Sequence, residues 1–197
     1  FYLEDGSLKG MKGTIDFNNI GIKNNLNSIK INSLYTLFNL SFDELYTNVE
    51  LDNTSLQFID NNSLANLNIS ATLNKFDVLT SLDVTIDKAN LGTITNFSSY
   101  YPEINKSFKN IFDDLSPSGI IKNVDLNWQK APSFIEGLVL SMNTEKVNLN
   151  TFDNIPKIQN LSAEVNIERG NGSLVIDSNE LIIEQSSFFR EPLKLNQ

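Results

Sequence analysis

The side chains of this chain that could do chemistry are almost all carboxylates. Asp43 lies beside Glu44, and Asp113 lies beside Asp114. General acid–base catalysis needs two carboxylates that are held in different environments across a cleft. Neighbours on one turn or one helix end do not meet that requirement, so we interpret both pairs as solvated surface acids. A hydrolase that uses carboxylates alone would need two acids that converge from distant positions.

The amino-acid composition excludes most other kinds of reaction centre. The chain has no histidine and no cysteine, which excludes His-based triads, thiolate nucleophiles, disulfides and most zinc sites. Asp60-Asn61-Asn62 offers oxygen ligands for calcium but lacks the rest of an EF-hand loop, so we interpret it as a turn. Gly170-Asn171-Gly172 joins two predicted strands with no helix N-terminus beside it, which indicates a hairpin turn and not a phosphate cradle. We therefore predict no catalytic residue, no metal site and no cofactor.

The charge balance is strongly acidic. The formal net charge is −9 at pH 7, which argues against nucleic acid as a partner and against electrostatic docking on anionic lipid head groups. No apolar run reaches the length of about 18 residues that a membrane-spanning helix needs, and no signal peptide is recognisable. Because the chain begins at Phe1 without methionine, we expect a segment of a longer protein, with any signal or anchor outside it.

Alternating apolar and polar residues recur along almost the whole chain, which predicts a mainly β protein. Residues 1–92 form a β-rich half, in which we expect a turn at Asn53 between two strands and another strand over Phe76–Ile86. Residues 120–197 form a β-meander half, in which we expect strands over Phe134–Met142 and Lys146–Leu149.

Residues 93–119 interrupt this pattern. From Thr93 to Leu115 the apolar residues fall at a spacing of three or four, which predicts one amphipathic helical segment near the middle of the chain. Pro102 suits a first helical turn, and Ser116–Gly119 would end the helix. The helix could be a lid or a membrane-dipping element, but its short length and acidic end favour packing on an end of the sheet. No linker divides the chain, so we expect one continuous domain.

The apolar side of the strands is the candidate binding surface. It is either the closed core of a sandwich or an open face that holds lipid tails, and periodicity does not separate the two. Burial of one CH₂ is worth about 0.8 kcal/mol, so burial alone could hold two acyl chains. The candidate groove residues are Val124, Leu126, Trp128, Leu138, Leu140, Met142, Val165, Ile167, Leu174, Ile176, Leu181 and Ile183. Trp128 is either a core or rim anchor or a ligand stacker. The parity that faces the groove stays open, because a shift of one residue inverts it.

An ordered series of short segments in the second half resembles a known family. These segments are Tyr100-Tyr101-Pro102, Ile111–Leu115, Ser116–Gly119, Asn127-Trp128, Phe152, Ile155-Pro156, Asn160-Leu161, Gly170–Leu174, Ile176–Ser178 and Phe188–Leu193. Their order and spacing resemble the YhdP branch of the AsmA-like proteins of Gram-negative bacteria, in the conserved domain of its periplasmic part. The first half resembles that family only in its general β pattern. Lys157 and Ala163 depart from it, since the family usually has glycine at both positions.

The resemblance implies a large periplasmic protein that is anchored in the inner membrane. In it, a long curved antiparallel sheet (groove or taco-like) would form an apolar groove for phospholipid movement towards the outer membrane. The acyl chains of phospholipids would be the partners, with the membrane anchor and the envelope partners outside this segment. Such passive transport would need no catalytic residue.

Two other functions compete with lipid transfer. The first is a β-rich interaction or scaffold module, similar to an adhesin, which would close its core and bind no lipid. The second is the carboxylate hydrolase described above, which would need two acids with separated pKa values in one cleft.

Overall fold

Alternation of apolar and polar side chains along extended segments builds a single sheet. The computed structural model describes residues 1–4, 7–23, 28–58, 63–98, 113–153, 155–185 and 190–196. Within these residues twelve strands form one antiparallel sheet. The strands are β1 (Tyr2–Glu4), β2 (Ser7–Lys23), β3 (Ser28–Phe42), β4 (Tyr46–Phe58), β5 (Ser63–Asn74), β6 (Leu79–Asn90), β7 (Ser118–Gln129), β8 (Leu138–Leu149), β9 (Lys157–Glu168), β10 (Asn171–Ile176), β11 (Glu180–Glu184) and β12 (Leu193–Asn196).

The strand order follows the chain with one exception. Strands β1 to β9 are neighbours in sequence order, then β11 and β12 complete the path, and β10 pairs with β9 beside it. The prediction of a mainly β, antiparallel fold is therefore confirmed. The groove-like curvature and the division at residues 93 and 119 stay predictions.

The chain also divides into two compact units. The first unit holds Phe1–Lys88, Asn123–Ser141 and Asn166–Gly172. The second unit holds Ala89–Lys122, Met142–Val165 and Ser173–Gln197.

Helical structure is short in the described residues. Helix α1 spans Leu91–Ser98, residues 113–115 are also helical, and Ile135–Gly137 forms one 3-10 turn. The Asn90 side-chain oxygen accepts a hydrogen bond from the Gly92 N–H at 2.9 Å, as an N-cap residue does. The predicted helical segment thus begins two residues before Thr93, while most of its apolar stripe lies in residues 99–112, outside the described part of the chain.

Left-handed residues interrupt the strands without ending them. Asn19, Asn53, Asn66, Asn123, Lys146 and Asn160 all have φ between 48° and 61° and lie inside strands. Asparagine tolerates this conformation better than other non-glycine residues, and β-branched residues tolerate it least. Such residues are typical of β-bulges, where one strand carries an extra residue.

The ladder between β4 and β5 shows what these bulges do. Leu51 pairs with Ile69 and Thr54 with Leu67, so β4 has one more residue than β5 between these two pairs, around Asn53. Leu56 then pairs with Leu64, so between this pair and Thr54–Leu67 it is β5 that has the extra residue, around Asn66. Apolar residues three positions apart therefore share one side of the sheet across each bulge.

Two predicted strand breaks are wrong for this reason. The predicted turn at Asn53 is a bulge inside β4, and the predicted separate strand Lys146–Leu149 is the continuation of β8 past Lys146. Asparagine is frequent in turns, and the left-handed conformation that makes it so also fits a bulge.

Two predicted strand starts are also wrong. Phe76 and Val78 lie in the β5–β6 turn, where the Asn74 side-chain oxygen accepts hydrogen bonds from both of their N–H groups. Phe134 precedes the 3-10 turn, and β8 begins only at Leu138. Side-chain capping by Asn74 removes Phe76 and Val78 from the ladder, and Phe134 has helical backbone angles (φ −56°, ψ −43°), although the apolar alternation of all three fits a strand.

Ser178 bridges the interruption between β10 and β11. Both strands pair with β9, and residues 177–179 lie between them. The Ser178 hydroxyl accepts a hydrogen bond from the Ser162 N–H at 2.8 Å and donates one to the Ser162 carbonyl at 3.1 Å. The Ser162 carbonyl also accepts a hydrogen bond from the Asp177 N–H at 2.8 Å. Ser178 is only 2% exposed, and its hydroxyl replaces the backbone partner that the Ser162 N–H lacks at this point.

The bulge at Asn123 gives a first test of this architecture. Replacing Asn123 by valine should lower the free energy of unfolding by about 1–2 kcal/mol, because a β-branched residue is strained in the left-handed region. Replacement by glycine should be nearly neutral. Urea unfolding measures both, with Asp125→Val on the same exposed side of β7 as the control. Equal losses for the two valine variants would contradict the bulge argument.

Removal of the Ser178 hydroxyl gives a second test. The Ser178→Ala variant leaves the half-buried Ser162 N–H without its hydrogen-bond acceptor, while the Ser162 carbonyl keeps the Asp177 N–H, so the change should cost about 1–3 kcal/mol. Ser173→Ala on exposed β10 is the matched control and should be close to neutral. The same urea experiment reports both values, and a loss for Ser178→Ala no larger than for the control would refute the bridging role.

Candidate functional site

The apolar side of the sheet in the first unit consists of rows that cross five strands. Each row takes one residue from each of β2 to β6, and its members are paired in the ladders except for Thr36 and Thr54, whose hydroxyls are hydrogen-bonded. The rows are Met11–Leu40–Val49–Ala71–Leu82, Gly13–Phe38–Leu51–Ile69–Val84 and Ile15–Thr36–Thr54–Leu67–Ile86. Because strands lie about 4.8 Å apart, each row is roughly 19 Å long. These three apolar rows are the candidate site of the first unit.

Two details keep the rows continuous. Gly13 has no side chain, and the Phe38 ring lies over it, since a Cβ at Gly13 would come within 2.9 Å of that ring. Thr36 and Thr54 are the only polar side chains of the rows, and their hydroxyls are 2.7 Å apart in a buried hydrogen bond. The two hydroxyls are hydrogen-bonded to each other, so neither of them is left without a hydrogen-bond partner on the apolar side.

The opposite side of the first unit is a hydrogen-bonded polar surface. Amide side chains link neighbouring strands there: Asn39 donates to Glu50 at 2.7 Å, Asn48 to Ser41 at 3.3 Å, and Asn68 to Thr85 at 3.0 Å. The alternation of a strand separates this polar side from the apolar rows. The sheet therefore has one side for water and one for apolar contact.

Burial changes along the strands of the first unit. Ile31, Leu56, Phe58 and Leu64 are buried, and Ile31 is only 2% exposed. The large side chains of the three rows are only half-buried. A closed core therefore lies towards the β2–β3 and β4–β5 connections, and the rows beyond it keep apolar surface in contact with solvent.

The predicted groove residues of the first unit lie on the same side as these rows. The Asn127 amide donates to the Asp83 carboxylate, so both lie on the polar side, and Leu126 and Trp128 point the other way, with Leu82 and Val84. Val124 and Leu138 are buried, whereas Leu126, Trp128, Leu140 and Ile167 are half-buried.

Trp128 closes one end of this surface. Its indole N–H donates to the Phe134 carbonyl at 3.1 Å, and its ring stacks on Phe134 with centroids 5.9 Å apart. Gly137 is required beside it, because a Cβ there would collide with the carbonyl of Gln129. The choice between an anchor and a ligand stacker at Trp128 stays a prediction.

The second unit has an apolar side of its own. The Lys122–Glu145 ion pair at 2.5 Å marks its polar side, which leaves Met142 on the apolar one. Val165 and Ile183 are half-buried, and Leu181 is 1% exposed. Leu174 and Ile176 are exposed on β10. The two-residue turn at Arg169-Gly170 fixes the pairing of β10 with β9, which places both residues on the same side of the sheet as Val165. Leu181 thus belongs to a closed core, and the others keep accessible apolar surface.

The two departures from the family pattern have local explanations in the second unit. Ala163 is buried on β9 and does not have a positive φ, so glycine is not needed there. Lys157 forms an ion pair with Glu184 across β9 and β11 at 3.1 Å. Neither residue disturbs the strand pairing.

Sequence reasoning missed much of the apolar side. Missed members include the rows of β2 to β6 and, in the second unit, Ile121, Val147 and Leu161. The signal that could have found the latter is a pair of apolar residues three positions apart with a left-handed residue directly before the second, as in Ile121-Lys122-Asn123-Val124. Strict alternation assigns such residues to the wrong side.

The two adjacent carboxylate pairs lie on exposed positions. The Asp43 carboxylate caps its own turn by accepting hydrogen bonds from the Leu45 and Tyr46 N–H groups at 2.7 and 2.6 Å. Asp113 and Asp114 are exposed. Asp60-Asn61-Asn62 lies outside the described residues, and no group of three potential metal ligands occurs within them.

The described helices offer no membrane span. None of them combines the length and the apolar character that crossing a bilayer requires.

Comparison with known proteins gives one result. The model of the family described as YhdP protein matches residues 1–197, so it covers the first half as well as the second, where the sequence segments pointed. No curated protein and no solved structure matches the chain. The chain belongs to the YhdP family and is a YhdP-type AsmA-like protein.

Proposed function

We propose that this chain is a segment of a bridge-like lipid-transport protein. Phospholipid acyl chains lie on the apolar side of the sheet, and the head groups stay in water. Movement along the rows carries phospholipid between the inner and outer membranes of the periplasm and so supports the outer-membrane barrier. The segment belongs to a protein anchored in the inner membrane and acts without catalysis. Membership of the YhdP family is consistent with this role.

The half-buried rows of the first unit carry the proposal. An apolar surface about 19 Å long and three rows wide, on strands whose other side is hydrogen-bonded and polar, resembles the lining of a lipid site. A chain that only needed a closed core would bury Phe38, Leu51 and Ile69 as fully as it buries Ile31.

The charge distribution favours acyl chains on the apolar side over head-group recognition. The rows contain no charged side chain and only the self-paired Thr36 and Thr54 hydroxyls as polar side-chain groups. Binding by such a surface depends on buried CH₂ groups and discriminates poorly between head groups. We therefore expect mixed phospholipids and not one species.

Native mass spectrometry of the purified chain, followed by organic extraction, tests the proposal directly. Bound phospholipid in stoichiometric amount supports it. A stable monomer that takes up no phospholipid from detergent-free vesicles contradicts it for this chain and supports the competing scaffold function with a closed core.

A charge in the middle of β8 should abolish uptake. Leu140 is half-buried on the apolar side, and its neighbour Ser141 is exposed on the polar side. In the Leu140→Asp variant bound phospholipid should fall by roughly tenfold or more, because a carboxylate beside acyl chains is poorly solvated. Ser141→Asp is the matched control and should retain its lipid. An unchanged amount of bound phospholipid in a folded Leu140→Asp protein would contradict the assignment of β8 to the binding surface.

The central row of the first unit allows an independent test. Ile69 pairs with Leu51 on one side and Val84 on the other, while Ser70 points to the polar side. Ile69→Asp should weaken uptake of a fluorescent fatty-acyl probe by roughly tenfold or more, and Ser70→Asp should not. Circular dichroism establishes that both variants are folded. Equal probe uptake by the two folded variants would exclude the rows as the binding surface.

A further inference from the structure

Exposed apolar side chains collect at one end of the strands in the first unit. The connections after β3, β5 and β7 lie at the same end, because neighbouring strands are antiparallel and follow the chain. Each connection presents an aromatic and an aliphatic residue to solvent. The pairs are Tyr46 with Leu45, Phe76 with Val78, and Phe134 with Ile135. We call these three connections the hairpin tips.

The exposure at the hairpin tips is large. Phe76 is 73% exposed, Leu45 54% and Phe134 51%. Single exposed apolar residues are common on protein surfaces, but here three successive connections at one end repeat the same pair. Because these side chains are exposed, packing in the core does not explain the repetition.

The hairpin tips are held in place by their own hydrogen bonds. The Asp43 carboxylate caps the first tip, and the Asn74 side-chain oxygen caps the second by accepting from the Phe76 and Val78 N–H groups at 2.9 and 3.2 Å. Trp128 holds the third through the Phe134 carbonyl and ring. The backbone of each tip is thus already held in place, which lowers the entropy cost of binding.

We propose that the hairpin tips insert into the interfacial region of a zwitterionic phospholipid bilayer. Successive tips lie about 10 Å apart, since two strand spacings separate them. A protein partner would need one continuous dehydrated patch, whereas a deformable lipid interface accepts separate protruding side chains. An aromatic ring at each tip is typical of the membrane–water boundary.

Charge at the hairpin tips selects the kind of lipid surface. Glu44, Asp77 and Glu136 lie beside the apolar side chains together with Asp43, and Lys75 and Lys130 are the only cations of these three connections. The Lys75 ammonium lies 5.2 Å from the centre of the Phe76 ring. This balance gives no attraction to anionic head groups, so binding should not require them and should resist salt.

Flotation with vesicles of pure phosphatidylcholine tests the proposal on the whole 197-residue chain. The combined variant Leu45→Ser, Phe76→Ser and Ile135→Ser removes apolar area from every tip but keeps Phe134 on Trp128. Its partition into vesicles should fall roughly tenfold or more, since each buried apolar group contributes to partition. The control Val139→Ser, Ile155→Ser and Val175→Ser removes three exposed apolar side chains elsewhere, which are 37%, 38% and 60% exposed, and should bind as the unaltered chain does.

Each other outcome overturns the proposal. These outcomes are no vesicle binding by the unaltered chain, equal binding by the tip variant, binding only to anionic vesicles, and binding lost at high salt. Sedimentation velocity adds one more: self-association that the tip variant abolishes would assign the tips to a second copy. The Leu140→Asp variant should still bind vesicles, so failure of the lipid groove and failure of the tips are distinguishable.

Discussion

The one-sidedness of this sheet depends on left-handed residues placed inside its strands. A strand of 12 to 17 residues changes sides at every residue, and any bulge in one strand shifts the pairing with the next. In β4 and β5 the bulges at Asn53 and Asn66 follow one another, so the register that Asn53 shifts is restored by Asn66. The apolar rows stay continuous on both sides of the two bulges.

This constraint also explains part of the composition. Asparagine serves the sheet in two ways: it adopts positive φ at bulges such as Asn123 and Asn160, and its amide links strands on the polar side, as at Asn39 and Asn68. Both uses rely on a short side chain that carries a donor and an acceptor. An asparagine-rich chain with few breaks in its sheet is the expected result, although asparagine-rich segments usually indicate turns.

The fold class was predictable because period-two alternation is a strong local signal over β5, β7 and β9. Strand continuity was not predictable, because the preference of Asn53 for positive φ fits a turn and a bulge equally well. Because the bulges were not predicted, the side of the sheet on which a residue beyond a bulge lies was not predictable either, as for Ile121. Accessibility was also beyond the sequence: Leu181 and Ile183 have the same pattern, yet Leu181 is buried and Ile183 is half-buried, because packing between distant segments decides burial.

The half-buried rows need something that neither the sheet nor α1 supplies. The described residues contain one sheet, the eight-residue α1, a helical stretch at residues 113–115 and one 3-10 turn, whereas a closed sandwich would require a second layer over all three rows. Leaving Phe38, Leu51 and Ile69 partly in water gives up hydrophobic free energy of about 25 cal/mol for each Å². A rigid protein layer could recover it only by matching the side chains closely. In the proposed function, flexible acyl chains would recover it at any position along the rows, and because no position would be preferred, they could also move.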